Sequence, residues 1–235
     1  MINLIFLYHL LELTAALAAS LYLFKTKDNS IRQFVWYLWF IVFFETLGMY
    51  GYLYEIMDNP IIDSIKNSKF RRTTWLYNVL NLIVVFLLGK FIINNTNTLL
   101  SHKIVKVLVI GFFVFCLVYF TFTTGFFEAK IPYPFVVLTF VIFIMVMLYL
   151  RELIKSNKLL NFYKSPVFYV IIAVMLWYIC LTPLFIFNPL FSVMNKEFIV
   201  FRMYFLDISN IILYSWYTFV FLYFLRFRSK SVLSK

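Results

Sequence analysis

His9 and Glu12 stand three residues apart in the run LIFLYHLLELTAALAAS, a spacing that puts an imidazole and a carboxylate on one face of a helix. Such a pair can serve as a general acid/base couple or as a proton relay. Glu45 comes next, with Gly48, Tyr52 and Glu55 on its side of a second helix. Asn78 and Asn81 are again three apart, and Asp207, Asn210, Tyr214 and Tyr217 form one stripe near the C-terminus. Trp177, Tyr178, Cys180 and Thr182 gather around Pro183. All of these groups sit in long apolar runs, where a buried charge costs at least ~2.5 kcal/mol on insertion scales. They are expected to pair, to hold protons or to face water in a cavity.

The elements that must position them are membrane-spanning helices. Of the 235 residues 64% are hydrophobic and 13% charged, and the mean hydropathy is +0.91, far from the composition of a soluble domain. A helix needs about 20 apolar residues to cross the hydrocarbon core, because it rises 1.5 Å per residue and lipid offers its backbone no partners. Seven stretches qualify: 3–24, 34–56, 73–95, 104–125, 133–151, 166–188 and 201–225. The segments between them, such as KTKDNSIRQ and RELIKSNKLLNFYKS, are rich in the charges, Asn and Pro that end helices. The expected fold is all-α: a polytopic integral membrane protein, one seven-helix domain over residues 1–225 with a short basic tail over 226–235.

Lysine and arginine set the orientation, since they are retained on the cytoplasmic side. With the N-terminus outside, fourteen basic residues fall inside, among them Lys25, Lys27, Arg32, Lys103, Arg151 and Arg226, against seven outside. Lys66, Lys69, Arg71 and Arg72 run against this trend, but Glu55, Asp58 and Asp63 partly offset them. The expected topology is therefore N-out and C-in. Trp36, Trp39, Trp75 and Tyr133 suit the headgroup belt. The net charge of +11 is topological, and no nucleic-acid partner is expected. The residue vocabulary, rich in Lys, Ile, Phe and Asn, suggests a bacterial chain and so an inner membrane.

Depth gathers the polar residues. In the N-out arrangement the starts of odd spans and the ends of even spans share one leaflet, so His9, Glu12, Asn78, Asn81, Trp177, Tyr178, Thr182, Asp207 and Asn210 fall in the outer half or near the midplane, and Glu45 lies deeper, close to the midplane. Ala16, Ala19 and Ser20 continue the His9 face and allow close helix approach. Spans four and five carry no central acid and read as walls. The opposing interpretation is that the amides and the His–Glu pair only pin helices together, at roughly 0.6 kcal/mol per interhelical hydrogen bond. Tyr214 and Tyr217 read as packing, Arg202 as an interfacial arginine, and Cys116 and Cys180 as buried thiols.

Several chemistries are disfavoured. The last span has no lysine for a retinal Schiff base, and His9 is the one histidine within a span, so neither a zinc site nor any other metal or cofactor is expected. No HExxH or GxSxG setting occurs, and Asp207 lacks the second aspartate of membrane aspartyl proteases. Seven N-out spans with a basic inner end are similar in topology to bacterial seven-helix sensory membrane domains, which implies signalling through a separate protein docked inside. The leading expectation is a non-enzymatic sensor or accessory subunit whose outer-leaflet polar pocket, lined by His9, Glu12, Glu45, Asn78, Asn81, Asp207 and Asn210, binds a small-molecule ligand or a partner helix. The alternative is a proton-coupled transporter using Glu12, Glu45 and Asp207. An intramembrane lipid-modifying enzyme, resting on the His–Glu pair, is the third reading. The lipid bilayer, and a membrane or cytoplasmic protein, are the expected partners.

Overall fold

The computed structural model describes residues 2–51, 59–128, 132–191 and 196–233. Tyr52, Glu55 and Asp58 lie outside the described residues. Within them all regular structure is helical: α1 (Ile2–Thr26), α2 (Arg32–Gly48), α3 (Pro60–Lys66), α4 (Thr74–Asn95), α5 (Leu99–Phe122), α6 (Tyr133–Lys155), α7 (Pro166–Phe191) and α8 (Lys196–Leu233), with short 3-10 turns between some of them. Six of these, α1 and α4 to α8, are long and apolar enough to cross a membrane.

The second expected span departs from this pattern. Helix α2 has 17 residues, about 25 Å at 1.5 Å per residue, against a hydrocarbon core of about 30 Å. It breaks at Met49, whose N–H folds back onto the Glu45 and Thr46 carbonyls, and helical backbone resumes at Tyr50 and Gly51. At the other extreme, α8 runs for 38 residues. It starts before residue 201 and continues as helix through the basic residues assigned above to a tail. Helix α7 passes Pro183 without ending.

Six helices close a ring: α1 packs on α2, α2 on α4, α4 on α6, α6 on α7, α7 on α8, and α8 back on α1. The α1–α8 pairing is the most extensive among the described helices, and α1 carries Ala15, Ala16 and Ala19, wholly buried small residues of the kind that permit close helix approach. Helix α5 lies outside the ring against α4 and α6, with only 17% of its span buried. At Gly89 it crosses α4 so closely that a Cβ would sit 2.7 Å from the Val109 side chain. Of the two spans read as lipid-facing or purely structural walls, α5 is the outer one, and α6 sends Leu138, Ile142, Met145 and Tyr149 into the core.

One end of the ring is packed solid with aromatic rings. Phe34 has its centroid 5.1 Å from Tyr37, 5.4 Å from Phe91, 5.1 Å from Tyr217 and 6.1 Å from Phe221, and Phe34, Tyr217 and Phe221 are wholly buried. The loops at this end are tied down by side chains. Asn95 donates to the Ser30 carbonyl at 3.0 Å, and the Glu152 carboxylate accepts the Asn97 N–H at 2.6 Å together with the Thr98 hydroxyl. His102, in the first turn of α5, meets the Thr96 carbonyl at 3.0 Å. Cys116 is buried and Cys180 exposed on the helix surface; both are free thiols.

Candidate functional site

The other end of the ring is hollow. A cavity of about 420 Å³ lies between α1, α2, α4, α6, α7 and α8, within the size range of small-molecule sites. Five of the seven candidate residues line it: Glu45 from α2, Asn78 and Asn81 from α4, and Asp207 and Asn210 from α8. Their convergence follows from the ring, since α4 and α8 enter the bundle from the same end and α2 leaves toward it. Thr73, Gly125, Glu128 and Pro132, at helix ends and in the α5–α6 connection, complete the lining. A second, shallower groove beside it carries Lys69, Arg71 and Arg72, and Glu128 lines both.

The polar groups of the cavity fall into two kinds. Some are already engaged. The Tyr77 hydroxyl donates to Glu45 at 2.9 Å, and Trp177 Nε1 donates to Asn210 Oδ1 at 3.1 Å. Asn78, only 8% exposed, donates to the Gly125 and Phe126 carbonyls at 3.1 and 3.0 Å. Its amide pins the 3-10 turn Thr124–Phe126 over the cavity, so for the Asn78 donor groups the pinning interpretation holds. Others are unengaged: Asn81, Asp207 and Arg202 line the cavity with no side-chain hydrogen bond or ion pair among the described residues, and Arg202 Nε is fully buried without a partner.

His9 and Glu12 stand behind the cavity rather than in its lining. Glu12 is 1% exposed; His9 Nδ1 lies 3.1 Å from its Oε2, and His9 Nε2 lies 3.1 Å from the Thr46 hydroxyl on α2. Thr46 also donates to the Val42 carbonyl at 2.7 Å. All three contacts are met together only if His9 Nε2–H donates to Thr46 and a second proton lies between Nδ1 and Glu12, one proton more than a neutral imidazole beside a carboxylate carries. Glu12 also feels the charge of Glu45 and the hydroxyl of Tyr214, both lining residues. Thr182 is elsewhere, joined to Thr139 at 2.7 Å across α6 and α7.

Arg202 lines the cavity, a place the sequence reading did not give it. Five residues from Asp207 it is off that residue's face, yet 202, 206 and 210 repeat at the helical interval, so α8 lines the cavity over an arc of about 140° at 100° per residue. Testing Arg202 against Asn210 would have found it. Tyr37 and Tyr77 were also missed; Tyr77 precedes Asn78 and shares the Asn81 face at i, i+4. Among the described residues no group of three His, Cys, Asp or Glu is placed to hold a metal.

No family model, curated protein or solved structure matches the chain.

Proposed function

We propose that this chain is a seven-helix protein of a bacterial inner membrane, N-out and C-in, that acts as a sensor or accessory subunit by binding a small ligand in the cavity. The observation that carries this reading is the meeting of Glu45, Asn78, Asn81, Asp207 and Asn210 from three helices in one hollow. Polar side chains that only pinned helices would be consumed by one another; here Asn81, Asp207 and Arg202 line the cavity with no side-chain hydrogen bond among the described residues. The aromatic packing around Phe34 beneath favours a blind pocket over a through-path. The basic connections at the packed end, with Lys25, Lys27, Lys103, Lys106 and Arg151, suit anionic headgroups or a cytoplasmic partner. In this reading α2 and its continuation beyond Met49 form the seventh span.

A carrier is the second reading, favoured by the proton-holding His9–Glu12 pair set between Thr46 and the Glu45 carboxylate. Purification in mild detergent followed by mass spectrometry of all co-purifying species separates the two. A small molecule or lipid retained at one per chain, and expelled by Asn81→Trp, supports the pocket. A protein partner at fixed stoichiometry with an unoccupied cavity overturns it in favour of a purely structural subunit. Proton-dependent uptake into vesicles that Glu45→Gln abolishes would establish the carrier.

A further inference from the structure

The ligand-binding reading can be taken one step further, because the cavity holds charges of both signs that do not meet. Arg202 and Asp207 both line it, and neither has an ion-pair partner among the described residues. Helix geometry keeps them apart: five residues separate the Cα atoms by about 7.5 Å along the axis and by about 140° around it. The other two lining carboxylates have hydroxyl donors, Tyr77 for Glu45 and Thr124 for Glu128, each at 2.9 Å. Burying Arg202 Nε without an acceptor is costly, and among the described residues no carboxylate pairs with the guanidinium that lines the cavity.

A neutral ligand would leave the guanidinium of Arg202 without a counter-charge among the described residues. An anion alone would meet Arg202 and leave Asp207 unused, and a cation alone would leave Arg202 unanswered. A molecule carrying both charges a few ångströms apart meets both needs. The neighbouring surface adds an apolar wall: Phe135 lies 4.4 Å from Phe185, 5.4 Å from Tyr178 and 6.4 Å from Trp177, centroid to centroid. The hydrogen bond from Trp177 to Asn210 fixes that ring and occupies the amide oxygen, which leaves the Asn210 NH₂ available to an anion. At about 30 Å³ per water-sized group, a cavity of about 420 Å³ holds a ligand of about a dozen non-hydrogen atoms.

We propose that the cavity takes a small zwitterion, its carboxylate or phosphate on Arg202 and Asn210, its ammonium on Asp207 and its apolar part against Trp177 and Phe135. This rests on the ligand-binding reading above. Two sources share the chemistry: a free amino-acid-like molecule and the headgroup of a zwitterionic phospholipid.

Calorimetric titration of the purified full chain with L-phenylalanine, phenethylamine and 3-phenylpropionate tests the first source. Reconstitution in nanodiscs of phosphatidylethanolamine against phosphatidylglycerol, read by retained lipid and melting temperature, tests the second. The expected result is that the zwitterion of one series binds at least tenfold more tightly than its single-charge counterparts. Arg202→Gln should remove that advantage over the ammonium-only probe, and Asp207→Asn the advantage over the anion-only probe. The comparison on the unaltered chain stands even if a variant fails to fold. Equal binding of single-charge probes, or a co-purified occupant lacking one charge, overturns the zwitterion while the pocket survives. No binding by any probe, with no occupant displaced by Asn81→Trp, overturns both.

Discussion

The two ends of the helical ring solve the same problem in opposite ways. At one end Phe34, Phe91, Tyr217 and Phe221 fill the space between helices with aromatic rings, and side chains from Asn95 and Glu152 fasten the loops. At the other the same helices diverge around about 420 Å³ of cavity, and the polar residues are divided between those that hold the walls and those left unengaged. Stability is concentrated where there is nothing to bind, and binding chemistry where packing is given up. Natural proteins commonly separate the two demands this way, since a site tuned for a ligand is not tuned for its own packing.

That contrast can be broken most directly at the packed end. Phe34→Ala removes a wholly buried ring from the centre of the aromatic cluster and should cost about 3–5 kcal/mol, seen as a large fall in melting temperature in detergent. A small loss there would mean the end is not packed as described. Asn78→Ala should cost about 1–3 kcal/mol, because it strips the Gly125 and Phe126 carbonyls of their donor. It should also raise amide exchange in the turn over the cavity, a response Phe34→Ala would not confine to that turn. Asn81→Ala, one helical turn away, should leave stability within about 0.5 kcal/mol while weakening whatever occupies the cavity. An Asn81 variant as destabilised as the Asn78 variant would show that both amides are structural and would erase the distinction between engaged and unengaged groups.

Much of this contrast was legible in the chain. The spacing of Asn78 and Asn81, and of Asp207 and Asn210, assigns a face; the alternation of leaflets assigns a depth; together they bring the residues to one end. What spacing does not carry is the identity of the neighbour across the interface. The apolar faces of α5 and α6 read alike as sequence, so which of these two walls stands outside the ring and which packs into the core was hidden. For the same reason His9 and Glu12 could be put on the inner face of α1 but not ranked behind Tyr214 and Glu45. The interruption of α2 at Met49 left no proline or charge to mark it. Arg202 was obscured by a narrow test, since a helix lining a wide cavity presents more than one stripe.

The pairing of α1 with α8 joins the first and last helices of the ring, with about 170 residues of chain between them. At roughly 5–20 residues per second of synthesis, some 10–30 s pass between the emergence of the two. Throughout that interval the face of α1 that meets α8 has no permanent neighbour, and the ring stands open along one seam. Arrival of α8 is thus the step that closes the ring.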